Sequence, residues 1–241
     1  EGLLVETHMG RPTNSEANPE HPASLGSTDV LSQASILTLY DPDRSQAVTQ
    51  YGEIRSYPSF LGEMRNTVSL LKGSQGAGLR ILTESTTSPS LAAQIKDLLA
   101  LYPLARWHQY DAVSRDMARK GALMAFGEYL DTRYDFSKAN VVLSLDADFL
   151  AENPGRLRYT RDFISRRRVR EGQFEMNRLY VVEPTPTNTG SMADHRLPMS
   201  AGDVENFAWA LVQELGIAVQ KKNLEGAPGA AWIAPLAKDL R

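Results

Sequence analysis

The apolar run Val141-Val142-Leu143-Ser144-Leu145 stops at Asp146-Ala147-Asp148, and this stretch decides the fold. A second run, Leu179 to Val182, stops in the same way at Glu183 and a loop rich in proline and threonine. Short apolar runs bounded by turn residues are typical of buried parallel strands. Because helical patterns alternate with such runs, the sequence predicts an α/β fold: a three-layer, mainly parallel, Rossmann-like sheet with helices on both faces.

Polar loops follow the predicted strands at the point where a sheet of this type binds its ligand. The strands begin near Leu79, Arg106, Val141 and Leu179. In open parallel sheets, ligands lie in the crevice beyond the carboxyl ends of the strands. We therefore expect all four strands in one sheet, with the loops at Ser85, Asp146 and Glu183 along one edge.

The remaining segments indicate three regions. Residues 1–50 hold a predicted N-terminal β-hairpin, which turns at Gly10-Arg11-Pro12, and a connecting segment with a helix capped by Asp29. Residues 51–216 form the predicted α/β domain, which ends where Gly216 stops a helix. Residues 217–241 are rich in glycine, proline and alanine, so we expect a linker or a docking tail there.

Composition argues against several classes of function. A formal charge of −3 gives the chain no general attraction for nucleic acid. No apolar stretch reaches about 20 residues, so the sequence predicts no membrane span. The absence of cysteine excludes cysteine-held iron–sulfur clusters within the chain, and its four histidines lack the paired spacing of a zinc site. The chain opens at Glu1 without a start methionine, so we expect a piece of a longer protein.

Each polar group of the loops allows more than one interpretation. Asp146 and Asp148 form an i, i+2 pair, which suits a ribose, a base, a cation, or an acidic turn that caps the next helix. Thr185 and Thr187 suit a nucleotide, or the backbone of their own loop. The run Arg166-Arg167-Arg168 suits phosphate, a partner, or the solvated end of a helix.

Recognisable catalytic motifs are missing from the sequence. The pair Asp194-His195 has no adjacent nucleophile, which favours a structural role. The sequence contains no Gly-x-Ser-x-Gly elbow, no Walker motif and no Gly-x-Gly-x-x-Gly fingerprint. We therefore predict no catalytic residue and no metal site in this chain.

The order of motifs over nearly the whole chain resembles that of the molybdopterin oxidoreductase (dimethyl sulfoxide reductase) superfamily. The N-terminal matches are Gly10-Arg11-Pro12, Asn18-Pro19-Glu20-His21-Pro22 and Tyr40-Asp41-Pro42-Asp43-Arg44. The matches at strand ends are Asp146-Ala147-Asp148, Glu183-Pro184-Thr185-Pro186-Thr187, Ala193-Asp194-His195 and Ser200-Ala201-Gly202-Asp203. These strand-end motifs and the residues beside them are most similar to one branch, the iron–sulfur subunit of alternative complex III, a quinol:electron-acceptor oxidoreductase.

The resemblance implies a scaffold that has lost its cofactor. In working members of the superfamily, these loops hold one guanine dinucleotide half of a molybdenum cofactor. Here Asp146 stands where the family has glycine, which adds negative charge, and Thr185 stands where it has arginine, which removes a fork-shaped donor for phosphate. The vestigial cofactor-binding edge implied by the resemblance comprises Ser85, Asp146, Asp148, Glu183, Thr185, Thr187, Asp194 and Asp203.

The resemblance also implies a function, partners and a location. The expected function is that of a cofactor-less molybdopterin-oxidoreductase-like domain, mainly structural, in an iron–sulfur electron-transfer subunit of a quinol-oxidising respiratory complex. Iron–sulfur clusters are expected elsewhere in the full-length protein, in a ferredoxin-like cluster domain. Further expected partners are membrane quinol-oxidising subunits and cytochrome c subunits, in a bacterial, membrane-associated complex on the periplasmic side.

Two alternatives to this function stay open at the level of sequence. The chain could be a fragment of an active molybdopterin oxidoreductase that binds one half of a guanine dinucleotide cofactor. It could also be an unrelated nucleotide-binding module, because the polar loops at strand ends suit any nucleotide. The two alternatives share one expectation, which is nucleotide binding at the strand ends.

Overall fold

The computed structural model describes residues 2–152, 154–172, 174–217 and 229–241. The chain forms two compact units: unit 1 combines Glu1–Asp41 with Arg133–Arg241, and unit 2 is Pro42–Thr132. These units divide the chain at positions other than residues 50 and 216, where the sequence suggests domain boundaries. Unit 1 is therefore built from two separate stretches of the chain.

Unit 1 begins with a β-hairpin. Its strands β1 (Leu3–His8) and β2 (Arg11–Ala17) pair antiparallel. Met9 and Gly10 form the two-residue turn between them and both have positive φ, 52° and 77°. This turn geometry matches the twist of the strands and favours glycine at its second position. The hairpin predicted from the sequence is confirmed, but its turn is shorter than predicted, because Arg11 and Pro12 belong to β2.

The segment after the hairpin contains the helix predicted at Asp29. Helix α1 (Val30–Ala34) is capped by Asp29, whose carboxylate accepts the N–H of Ser32 at 2.7 Å. The chain then tightens into a 3-10 turn, Ser35–Leu39. The predicted helix to about residue 39 is therefore an α-helix in its first half only.

Unit 2 alternates strands and helices. In chain order its elements are β3 (Val48–Gln50), β4 (Glu53–Arg55), α2 (Tyr57–Gly73), β5 (Arg80–Thr83), α3 (Pro89–Leu101), β6 (Arg106–Gln109) and α4 (Asp116–Phe126). Strands β5 and β6 pair in parallel on either side of α3 in the chain, which is the predicted alternation. Ser88 caps α3, as predicted, because its hydroxyl accepts the N–H of Leu91 at 3.3 Å. The antiparallel pair β3–β4 is not predicted by the sequence pattern.

The second stretch of unit 1 adds a parallel sheet. In chain order its elements are β7 (Val141–Leu145), α5 (Arg156–Ser165), β8 (Arg178–Glu183), α6 (Asn188–Ser191), β9 (His195–Pro198), α7 (Ala201–Glu214) and α8 (Ala230–Leu240). All three strands are parallel, and β8 lies between β7 and β9. Strands β7 and β8 confirm the two apolar runs, whereas β9 and α8 are additions that the sequence pattern does not predict.

The expectation of one sheet for all four predicted strands is wrong. Among the described residues, β5 and β6 form a two-stranded sheet, while β7 and β8 belong to the three-stranded sheet. An apolar strand pattern reports burial, and register and pairing depend on further information that the pattern lacks. Ser85 therefore follows a different sheet from Asp146 and Glu183.

Helices cover both faces of the sheet in unit 1. Tyr180 and Val182 belong to one core cluster with residues of α7 and α8, whereas Leu179 and Val181 belong to a second cluster with Phe163 of α5. This division follows from the strand geometry, since successive side chains point to opposite faces. The predicted fold class is confirmed: parallel sheets flanked by helices, with an N-terminal antiparallel hairpin.

The last described segment of the chain packs into the core. Helix α8 contacts α7, and Leu236 is fully buried in one cluster with Phe207. The described end of the predicted linker or docking tail is thus a core helix, while its residues 218–228 lie outside the described residues. Across the described ranges, no helix combines the length and the apolarity that crossing a membrane requires.

Candidate functional site

The carboxyl ends of β7, β8 and β9 meet at one edge of the sheet in unit 1. This carboxyl edge consists of residues 146–150, 183–188 and 199–203. Asp146 donates its N–H to the carbonyl of Val182 at 2.8 Å, and Met199 donates its N–H to the carbonyl of Glu183 at 3.1 Å. The predicted residues that the fold brings to this edge are Asp146, Asp148, Glu183, Thr185, Thr187 and Asp203.

Glu183 is a buried carboxylate at the end of β8, with 1% of its surface exposed. Arg196 donates from Nε to Oε1 at 2.5 Å, and the Thr187 hydroxyl donates to Oε2 at 2.7 Å. Burial raises the pKa of Glu183, but the hydrogen bonds from Arg196 and Thr187 outweigh burial, so its pKa lies below the ordinary value. The ionised carboxylate is therefore bound by groups of the protein itself.

The short helix α6 packs against this carboxylate. Thr187 caps α6, since its hydroxyl accepts the N–H of Gly190 at 3.0 Å. A Cβ atom at Gly190 would lie 1.8 Å from Oε1 of Glu183, which is far inside van der Waals contact. The Glu183 carboxylate therefore fills the space beside the α6 backbone.

Asp148 connects the loop after β7 to the loop after β8. Its Oδ1 accepts both the N–H of Thr189, at 3.0 Å, and the Thr189 hydroxyl, at 2.6 Å. Thr189 is fully buried, and its hydroxyl oxygen also accepts the N–H of Leu150 at 3.2 Å. Asp148 therefore has a role that the sequence analysis does not predict, since its carboxylate holds the loop after β7 to helix α6 instead of capping the next helix, α5.

The other predicted residues of the carboxyl edge face solvent or a neighbouring turn. Asp146 is exposed and has a φ of 48°, a left-handed conformation that suits glycine better than a residue with a side chain. Thr185 is exposed in the loop after β8. Asp203 accepts the Ser200 hydroxyl at 2.7 Å in the first turn of α7. Asp146 therefore presents its negative charge outward from the edge.

Asp194 lies at the opposite end of the sheet. It precedes β9, and its carboxylate accepts the N–H of Leu179 at 2.8 Å near the start of β8. Arg167 binds it with two hydrogen bonds of 2.5 and 2.9 Å. These bonds, first the one from Arg167, hold the pKa of Asp194 below its ordinary value despite the opposing effect of burial. Asp194 is a structural ion pair away from the carboxyl edge.

Ser85 lies in unit 2, in the loop after β5. Its N–H donates to Asp111 at 2.9 Å, and its hydroxyl donates to the same carboxylate. The Ser85 hydroxyl bond is the largest cause that lowers the pKa of Asp111 below its ordinary value. Ser85 thus belongs to a local serine–aspartate contact at the ends of β5 and β6, and the fold does not bring it to the sheet of unit 1.

The sequence analysis does not identify the two residues beside the Glu183 carboxylate, Arg196 and Gly190. Arg196 lies in β9 beside Val181, so recognising it as the partner of Glu183 requires knowing that a four-residue strand pairs with β8. The available signal is the pattern His195-Arg196-Leu197-Pro198, in which an arginine precedes an apolar residue directly after a buried strand and its loop. Gly190 leaves a weaker signal, because a glycine after Thr-Asn-Thr suits many loops.

The carboxyl edge is acidic, and several of its polar side chains already bind other groups of the protein. Arg196 already forms an ion pair with Glu183, and Asp148 is bound by Thr189. Within the described parts of the chain, no three histidine, aspartate or glutamate side chains group as a metal site. An exposed carboxylate, Asp146, and an exposed hydroxyl, Thr185, remain for an external ligand.

Comparison with known proteins identifies a similar fold. No protein-family model and no curated protein matches the chain. Among solved structures it is similar to acetylene hydratase from Pelobacter acetylenicus, with a TM-score of 0.60 and 14% sequence identity. The match covers 98% of this chain and 33% of that chain, so this chain spans about a third of its length. At such identity the likeness concerns the fold alone.

Proposed function

We propose that this chain is a cofactor-less, molybdopterin-oxidoreductase-like scaffold domain in an iron–sulfur electron-transfer subunit of a quinol-oxidising respiratory complex. The buried Glu183 carries the proposal, because its carboxylate binds Arg196 and Thr187 and fills the space beside Gly190. The fold supports the molybdopterin-like part of the proposal. The motifs at the strand ends, which resemble the iron–sulfur subunit of alternative complex III, support the respiratory part.

The charges at the carboxyl edge oppose a dinucleotide. A pyrophosphate is bound by backbone N–H groups, by arginine forks or by metal ions. Arg196, the cation in β9, is already paired with Glu183 at 2.5 Å. Asp146 adds an exposed negative charge, and like charges about 4 Å apart repel by roughly 1 kcal/mol even in bulk water. A scaffold role needs the fold and its surfaces, and neither is affected by this repulsion.

The proposal includes partners and a location. The clusters that carry electrons would lie in a ferredoxin-like domain of the same polypeptide, since the chain has no cysteine to hold them. Membrane quinol-oxidising subunits and cytochrome c subunits would complete the complex, on the periplasmic side of a bacterial membrane. Affinity purification of the tagged full-length protein from its native membranes should recover these subunits. Recovery of the protein without any quinol-oxidising or cytochrome c subunit would contradict the respiratory part.

Titration calorimetry with guanosine diphosphate tests the cofactor-less part. We expect no binding at micromolar concentrations by the unmodified chain, because no unpaired cation lies at the carboxyl edge among the residues that the structure describes. The double variant Asp146→Gly, Thr185→Arg restores the residues of the related motif, and we expect it to gain measurable affinity. Micromolar binding by the unmodified chain would instead support an active cofactor domain or a nucleotide-binding module.

A matched double variant controls for net charge. Asp131→Gly with Thr132→Arg makes the same substitutions in unit 2, where Asp131 is a highly exposed side chain. This control should bind guanosine diphosphate no better than the unmodified chain. An equal gain in both double variants would reflect general electrostatics and would contradict the assignment of the carboxyl edge.

A further inference from the structure

An open cleft of about 920 Å³ lies in unit 1 between residues 26–31 and helix α5. Apolar side chains line it, and they are Val30, Leu31, Leu150, Leu157 and Ile164. Three arginines of the segment 156–168 also line it, and they are Arg156, Arg161 and Arg168. The cleft therefore combines an apolar lining with concentrated positive charge.

Two of the three arginines are available to a ligand. Arg156 forms an ion pair with Asp29, so its charge is compensated inside the cleft. Arg161 and Arg168 are exposed and have no hydrogen-bond or ion-pair partner among the described residues. The whole chain carries a formal charge of −3, so these two arginines form a local cationic site on an acidic protein. Such a site attracts carboxylates and phosphates.

The apolar lining shows that charge is only part of what the cleft recognises. Val30 is 76% exposed and Leu31 is 77% exposed, although both are large apolar residues next to each other. Adjacent exposed apolar side chains rimmed by polar groups are typical of interaction sites. A small inorganic anion would cover none of this surface, whereas a segment with both acidic and apolar side chains would cover it.

The two arginines and the apolar side chains of the cleft fit an extended peptide. Arg161 and Arg168 line the cleft together with Leu157 and Ile164. In an extended chain, alternate side chains point to the same face, so two residues four positions apart and the residue midway between them face the same way. Two carboxylates and an apolar residue placed in this way can contact the arginines and the apolar lining together.

We propose that this cleft binds an extended acidic segment of a partner protein, with two carboxylates four positions apart on Arg161 and Arg168 and an apolar residue midway between them. The inference rests on the proposed scaffold function and deepens it, because it identifies a surface through which the scaffold holds a partner. The contact is expected to be salt-dependent, since exposed charges are screened by ions.

Fluorescence anisotropy tests the proposal with a labelled ten-residue peptide that carries two glutamates four positions apart and a leucine midway between them. We expect the unmodified chain to bind this peptide and to bind its glutamine twin about tenfold more weakly. The double variant Arg161→Glu, Arg168→Glu should weaken binding of the glutamate peptide at least tenfold. Both arginines are exposed, so the fold should tolerate the change.

A second double variant, Arg170→Glu with Lys238→Glu, makes the same change of net charge outside the cleft and should retain most of the binding. An equal loss in both double variants, or no loss in the cleft variant, would overturn the proposal. Binding of inorganic pyrophosphate at Arg161 and Arg168 without binding of the peptide would identify a small-anion site and would also overturn it. These outcomes are separate from the guanosine diphosphate titration, which tests the scaffold function itself.

Discussion

The carboxylate of Glu183 packs directly on the Cα atom of Gly190, and Arg196 and Thr187 hold it there. At the scale of single residues, this contact explains why Glu183 and Arg196 bind each other at the carboxyl edge and not an external ligand. Burying a carboxylate is costly, and its charged partner and hydrogen bonds offset that cost only while they stay in place. Any substitution that moves the carboxylate exposes that cost.

Gly190→Ala should therefore destabilise the protein by about 1–3 kcal/mol, the usual cost of an added methyl group in a filled site. The added Cβ would lie 1.8 Å from Oε1 of Glu183, and the carboxylate cannot turn away without losing Arg196 or Thr187. Urea unfolding followed by circular dichroism measures the loss. Gly202→Ala is the matched control, since a Cβ there meets nothing within 4 Å, and it should be neutral or stabilising.

The ion pair of Asp194 and Arg167 should make stability depend on pH. Its hydrogen bonds hold the pKa of Asp194 below the ordinary value of 3.8 in the folded state. The stabilisation is therefore fully present above about pH 4 and is lost as the pH falls through the folded pKa. Asp194→Asn should be less stable than the unmodified chain at pH 7, by roughly 1–3 kcal/mol. The difference should shrink below pH 4, and a constant difference down to pH 2 would contradict this account.

Sequence reasoning placed the residues of the carboxyl edge better than it described their partners. Asp146, Asp148 and Glu183 follow apolar runs, and strand ends are readable from such runs. Asp194 instead precedes β9, a strand that the sequence pattern does not predict, and it therefore lies at the amino end of the parallel sheet. Hydrogen-bond partners depend on the three-dimensional arrangement of the strands, so the pairing of Glu183 with Arg196 is visible only in the structure.

At the scale of secondary-structure elements, α8 is the feature that the sequence hides best. Its composition of alanine and proline suggests a linker, and Pro235 lies inside the helix. Its apolar residues nevertheless fall on one side, and Ile233, Leu236 and Ala237 enter the core cluster with α7. A short helix of this kind is stabilised by tertiary packing more than by intrinsic propensity.

Leu236→Ala should destabilise the protein by about 2–5 kcal/mol, the range for large-to-small changes at fully buried positions. The reason is the cavity left between α8 and the cluster that includes Phe207. Lys238→Ala is the control on the same helix, because Lys238 is exposed, and it should change stability by less than about 0.5 kcal/mol. Equal effects of the two substitutions in urea unfolding would show that α8 does not belong to the core.

Prediction of the elements succeeded where the local signal is strong. The caps at Asp29 and Ser88 and the apolar runs of β7 and β8 are each decided by neighbouring residues in the sequence. Strands β5 and β6 pair in a sheet of their own, separate from β7 and β8. Such pairing depends on residues distant in the sequence, and the apolar pattern of one strand does not indicate which strand it pairs with.

At the scale of the whole molecule, the two units differ in how much apolar surface they bury. Among the described residues of unit 2, the buried apolar side chains are Ile95, Tyr102 and Ala105, whereas unit 1 has two clusters on either side of its sheet. Hydrophobic burial is the main favourable contribution to folding. Unit 2 should therefore be the less stable of the two.

Native-state hydrogen exchange measures this difference by mass spectrometry. We expect the amides of β7 and β8 to exchange most slowly, and the amides of β5 and β6 to exchange at least tenfold faster, because opening of unit 2 exposes less apolar surface. The amides of α8 should be protected together with β8, because they share a cluster. Equal protection of β5 and β8 would show that the chain opens as a single cooperative unit.

The divided construction of unit 1 sets an order for folding on the ribosome. Its hairpin and α1 emerge first, but Arg156, the ion-pair partner of Asp29, is synthesised only after the whole of unit 2. Chains fold domain by domain as they emerge, so the contact of Asp29 with Arg156 can form only after the inserted unit has been made.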